Sequence, residues 1–139
     1  MTSYKNWRTI SPSDSWFDFR KLNKRVIPDP YPIPRARELN RSAKKVYKTS
    51  LDLKYGFGAM GFYRNHSKFM AVITPFVIFV PKRLGIGGSN GPVYMQRLSD
   101  YVYGDLDVCV YIDDILIASS DSTGNLESLR EVFQRTRDA

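Results

Sequence analysis

Val108-Cys-Val-Tyr-Ile-Asp-Asp-Ile-Leu-Ile-Ala118 decides how this chain is read. Two apolar, β-branched runs flank Asp113-Asp114, so the stretch predicts a hairpin over Val108–Ala118 with two carboxylates at its tip. Aspartate is a common turn former, and a plain hairpin turn is one reading. The setting favours another. No Asn-Gly or Asp-Gly pair occupies the turn, and no cation stands close in sequence to offset two adjacent negative charges. A divalent metal ion would offset them.

Upstream, Val46–Leu53 reads as a strand with Asp52 near its end, and Gly56 and Gly58 break it. Phe69–Val80 is a β-rich apolar run around Thr74-Pro75, and Gly85–Gly91 is a glycine-rich loop without the Lys-Ser/Thr ending of a phosphate-binding loop. Pro92–Tyr103 reads as a helix with proline in its first turn. Downstream, Gly124–Arg137 reads as a helix with Leu126, Leu129, Val132 and Phe133 on one face. Nearer the N-terminus, Trp16–Phe19 is a short strand candidate, and Pro28, Pro30, Pro32 and Pro34 enforce an extended segment. Arg35–Lys45 has the composition of a short basic helix. Residues 1–15 read as a loose leader and 16–139 as one truncated core. Strands and helices mix without strict alternation, so the fold class is α+β.

Charge is divided unevenly. Residues 1–68 hold 15 Lys/Arg against 5 Asp/Glu, and residues 69–139 hold 6 against 9. A basic, aromatic half suits a polyanion such as nucleic acid, and a solvated basic surface is the plainer alternative. The single cysteine, Cys109, excludes an internal disulfide, and with one histidine, His66, no Cys/His zinc site can be built. No run of eighteen apolar residues exists, so no transmembrane helix is expected. The expected setting is intracellular and reducing, with cytoplasm and nucleus left open. Asp52 with the Asp113-Asp114 pair is the minimum carboxylate set for two Mg²⁺ about 4 Å apart; Mn²⁺ is the alternative ion. Magnesium keeps its waters and needs only hard oxygen ligands, so no histidine is required.

Tyr111-Ile-Asp-Asp114 followed by Ile-Leu-Ile resembles the YxDD box of reverse transcriptases, most closely those of Ty3/gypsy-type LTR retrotransposons. Ser50-Leu-Asp-Leu-Lys-Tyr-Gly-Phe57 resembles that family's first catalytic motif. Asp18-Phe-Arg-Lys-Leu-Asn-Lys24 with Tyr31-Pro-Ile-Pro-Arg35 resembles its fingers motif. Thr74-Pro-Phe76, Asn90-Gly-Pro92 and Gln96-Arg-Leu98 fall at the family's spacing, and Asn125–Phe133 resembles the helix after the hairpin. The resemblance implies fingers plus a palm, an antiparallel split βαβ sheet with packed helices. It implies Asp52, Asp113 and Asp114 as catalytic metal ligands with the Leu53 carbonyl beside them. It places Gly56, Phe57, Ile86 and Gly87 at the incoming nucleotide, Phe57 as the ring that disfavours a 2′-hydroxyl. Asp18, Arg20, Asn23 and Tyr111 fall at nucleic-acid-facing positions. The implied partners are an RNA or DNA template-primer and dNTPs.

Departures from the family pattern qualify this. About three residues are missing between Trp16 and Asp18, among them the arginine that grips the triphosphate. Met-Pro-Phe-Gly is replaced by Leu84-Gly-Ile-Gly87. Nothing corresponds to the family's primer grip, thumb or remaining polyprotein domains. The expectation is therefore a polymerase domain by descent that is inactive alone. The alternative is a degenerate or domesticated fragment that binds nucleic acid, or serves structurally, without catalysis.

Overall fold

The computed structural model describes residues 18–34, 44–54, 56–63 and 66–139. The leader, Trp16-Phe17 and most of the Arg35–Lys45 segment lie outside the described residues. Two compact units emerge, one within Met1–Pro28 and Tyr55–Gly91, the other within Asp29–Lys54 and Pro92–Ala139. Among the described residues no helix is long and apolar enough to cross a membrane.

The second unit holds the sheet. Strands β1 (Tyr47–Asp52), β4 (Val108–Tyr111) and β5 (Asp114–Ser119) form an antiparallel sheet in the order β1-β5-β4. Register fixes which side chains share a face, because successive residues on a strand point to opposite sides. Leu51, Ile115 and Val110 lie in one row across the sheet, and Thr49, Ile117 and Val108 in the next row on the same face. That face is the core: Ile115, Ile117 and Val110 are buried with Tyr103 and Val132, and Leu51, Val102, Val108 and Leu129 pack against them. The helices supplying those partners are α3 (Gly91–Tyr103) and α4 (Ser122–Asp138). Gly104 follows α3 where a Cβ would collide with the Asp100 carbonyl, so only glycine lets the chain turn there.

Helix α4 starts two residues earlier than the sequence predicts. Asp121, in extended backbone, accepts from the Gly124 N–H at 2.8 Å and caps the helix. Asp121→Ala should lower the free energy of unfolding by about 1 kcal/mol, read as a fall in the urea midpoint. The buried face of α4 also differs from the expected one. Val132 is buried and Leu129 packs on the core, but Leu126 and Phe133 are 53% and 51% exposed. Asn125 takes the inward position instead, accepting a 2.7 Å bond from the Thr49 hydroxyl on β1. The stripe runs through Asn125, Leu129 and Val132, one helical step away from Leu126 and Phe133.

The first unit has its own small core of Phe19, Met70 and Leu84, packed by Leu22, Phe57, Met60 and Phe62. It contains helical turns α1 (Arg20–Asn23) and α2 (Gly56–Ala59), a 3₁₀ turn (Ser67–Met70) and the two-residue strands β2 (Val72–Ile73) and β3 (Ile78–Phe79). Asp18-Phe19 is not strand: the Asp18 carboxylate accepts the Arg20 N–H at 3.0 Å and opens the turn α1. The expected apolar β run is likewise interrupted, because the Thr74 hydroxyl accepts from the Val77 N–H at 3.1 Å and donates to the Val77 carbonyl at 2.8 Å. Those bonds close a turn and leave short strands on either side.

Candidate active site

Asp52, Asp114 and Tyr111 form a single row across the end of the sheet, since Asp52 pairs with Asp114 and Asp114 with Tyr111. This row alternates with the Leu51–Ile115–Val110 row, so its side chains point away from the helix-packed core. Both carboxylates and the tyrosine are exposed. Asp113 occupies the two-residue turn with Ile112, and its carbonyl accepts the Leu53 N–H at 2.9 Å. The turn that carries Asp113 is thereby tied to the chain just after Asp52.

The turn is unusual in its backbone. Ile112 has φ 60°, a left-handed conformation that is rare for a β-branched residue. Positive φ at the first turn position only is the type II′ pattern, in which glycine is the usual occupant. What holds isoleucine there is helix α3. The Ile112 N–H donates to Gln96 Oε1 at 2.7 Å, and the Ser99 hydroxyl donates to the Ile112 carbonyl at 2.8 Å. Gln96 Nε2 also donates to the Val110 carbonyl at 3.2 Å. Gln96 and Ser99 are fully buried, so these bonds form away from competing water. Strain of this kind costs on the order of 1–3 kcal/mol and persists where surrounding structure over-determines it.

None of the three carboxylates has a hydrogen-bond or ion-pair partner among the described residues. Three hard oxygen donors with no protein cation suit a divalent ion. Facing residues on adjacent antiparallel strands hold their Cβ atoms about 4.5–5.5 Å apart, a spacing that lets Asp52 and Asp114 share one ion. Asp113 does not complete the group, because among the described residues no three His, Cys, Asp or Glu side chains converge to hold a metal. The residues thus fit a divalent ion by donor chemistry and by the register of two of them.

The other expected site residues fall in the first unit. Gly56 is buried at the start of α2, and Phe57 is half-buried against the Phe19–Met70–Leu84 core. Ile86 is exposed, and Gly87, at φ 113°, needs glycine's freedom. Asn23 fastens that loop: its amide donates to the Gly87 carbonyl at 2.9 Å and accepts from the Ser89 N–H at 3.1 Å. Arg20 forks onto Asp18 at 2.9 and 2.7 Å. The guanidinium and backbone bonds from Arg20 hold the Asp18 carboxyl down at about 2, well below the usual carboxylate range. Ser99 and Asp100 are positions that motif reading passed over, and Gln96 entered only within Gln96-Arg-Leu98, with no role given to it. Their signal was polar residues three and four apart on a helix whose same face carries Tyr103.

The reverse transcriptase (RNA-dependent DNA polymerase) family matches residues 2–139. The Pol polyprotein of transposon 297 from Drosophila melanogaster is 35% identical over 126 residues, 88% of this chain and 12% of that polyprotein. Prototype foamy virus protease-reverse transcriptase superposes with a TM-score of 0.76 at 26% identity, over 88% of this chain and 17% of that one. The foamy viral enzyme in complex with an RNA/DNA hybrid gives 0.74 at 25% identity, again over 88% and 17%. The architecture is the α+β fingers-and-palm of such polymerases. The chain belongs to the reverse transcriptase family. It spans a small part of the relatives it matches.

Proposed function

We propose that this chain is the fingers-and-palm part of an RNA-directed DNA polymerase from a Ty3/gypsy-type LTR retrotransposon, with Asp52, Asp113 and Asp114 as ligands of two divalent ions. The single observation that carries the reading is the Asp52–Asp114–Tyr111 row beside the braced turn of Asp113. The family depends on divalent metal, and a pair of magnesium ions held there would activate a primer 3′-hydroxyl and neutralise the leaving pyrophosphate. The chain's own residues supply carboxylates from two neighbouring strands and one turn, and Tyr111 continues their row toward the nucleic acid. Gly56, Phe57, Ile86 and Gly87 would border the incoming dNTP. Exposed Lys21, Lys24 and Arg25, with Arg20, suit template-primer phosphates. The RNA/DNA hybrid bound by the foamy viral enzyme supports nucleic acid as the partner class.

A second reading is a nucleic-acid-binding chain without catalysis. It is favoured by the lack of a converged three-donor group among the described residues and by Leu84-Gly-Ile-Gly87 in place of Met-Pro-Phe-Gly. Primer extension on an RNA template, with and without Mg²⁺, separates the two. Extension that needs both the ion and an intact Asp113, and is lost in Asp113→Asn, supports the polymerase. Template-primer binding that weakens with salt at a log–log slope of about −0.9 per phosphate contact, without extension, supports the second reading. Extension indifferent to Asp113→Asn defeats the metal assignment.

A further inference from the structure

The brace on the catalytic turn does not end at Gln96. Gln96 Nε2 also donates to Asp100 Oδ1 at 2.8 Å, one helical turn along α3. The second oxygen of Asp100 accepts the Tyr31 hydroxyl at 2.6 Å. Tyr31 is itself clamped to α3. Its N–H donates to Asp29 Oδ1 at 3.0 Å, and the Arg97 guanidinium lies 4.7 Å from its ring centroid. The same guanidinium donates to both Asp29 oxygens at 2.9 Å.

A buried glutamine amide can sit either way round, and here only one way is productive. Ile112 presents an N–H and needs the oxygen end. A carboxylate only accepts, so Asp100 demands the NH₂ end, as does the Val110 carbonyl. A charged acceptor makes the stronger claim on that amide. Tyr31 in turn fixes the carboxylate, leaving Oδ1 aimed at Gln96. The hydrogen bond to Asp100, with burial and the Asp100 charge behind it, holds the Tyr31 phenol above its ordinary range, so it stays a donor.

We propose that Tyr31 and Asp100 are positioning residues for the catalytic turn, acting through Gln96 to hold Ile112 left-handed and so to fix the turn that carries Asp113 at the sheet end where Asp52 and Asp114 pair. The functional consequence rests on the metal reading above; the mechanical one does not. No motif assigned a role to Asp100, and Tyr31 entered only as the first residue of the fingers-motif stretch Tyr31-Pro-Ile-Pro-Arg35, with no role of its own.

The experiment uses the full 139-residue chain, isotope-labelled, as wild type, Tyr31→Phe, Asp100→Asn and Asp113→Asn. Two quantities are read: amide hydrogen exchange at Ile112 against the β5 amides, and Mn²⁺ affinity by titration. Loss of one hydrogen bond in the relay should speed Ile112 exchange by roughly threefold to tenfold while the β5 amides keep their protection. Mn²⁺ affinity should fall in both relay variants, and further in Asp113→Asn. A merely structural role would move Ile112 and the β5 amides by the same factor, and that result, or no change at Ile112, overturns the proposal. So does a loosened Ile112 with Mn²⁺ affinity unchanged while Asp113→Asn lowers it. If Asp113→Asn leaves Mn²⁺ binding untouched, the metal reading has failed and Ile112 exchange alone decides the positioning claim. Tyr31→Phe removes a single oxygen and keeps the ring under Arg97, so it carries the test if Asp100→Asn does not fold.

Discussion

Ile115→Ala should destabilise the chain by about 2–5 kcal/mol, the range for truncating a buried isoleucine. Ile115 is 0% exposed and sits in the central strand between Leu51 on β1 and Val110 on β4. Helices α3 and α4 close over the same face through Tyr103 and Val132, so little can collapse into the space left behind. Domains of this size are stable by roughly 5–15 kcal/mol, and such a loss removes a large share. Urea denaturation followed by circular dichroism gives the midpoint. Ile27→Ala, at a residue 86% exposed, should shift it by no more than about 0.5 kcal/mol. Equal shifts for the two variants would show that the core has been misplaced.

The hairpin that places Ile115 was legible because its two strands are adjacent in sequence and both β-branched. The partner strand was legible only as a strand. Nothing local in Tyr47–Asp52 states that Asp52 will face Asp114, a pairing across 62 positions that came from resemblance and is explained by the sheet order β1-β5-β4. The face of α4 was misjudged for a physical reason. Counting apolar residues favours Leu126 and Phe133, whereas Asn125 earns burial by bonding to Thr49, which a hydrophobic count scores against it. Ser99 was invisible in the same way, and Gln96 was read only as part of Gln96-Arg-Leu98, without a role. Their value lies in capturing the two backbone groups of Ile112, and the strain at Ile112 appears only in three dimensions. The bonds by which Asn23 fastens the Gly87–Ser89 loop were not legible either, since they join residues more than sixty positions apart.

The facing carboxylates give the sharpest test of what the row is for, because its sign depends on the ion. Two like charges directly opposite on neighbouring strands destabilise the sheet by about 0.2–1 kcal/mol. In metal-free buffer Asp114→Asn should therefore raise the thermal midpoint slightly, by removing repulsion against Asp52. With Mn²⁺ or Mg²⁺ present the order should reverse. An ion that binds only the folded chain stabilises it by about 2.7 kcal/mol at a hundred times its Kd, and Asp114→Asn should lose most of that gain. Asp52→Asn should behave alike, since either substitution breaks the pair. The double variant should add little further relief without the ion, because the repulsion exists only once. Thermal melts of the four chains in chelator and in saturating ion measure the whole square. If Asp114→Asn lowers the midpoint by the same amount with and without ion, Asp114 is a structural strand residue, and the row carries no metal.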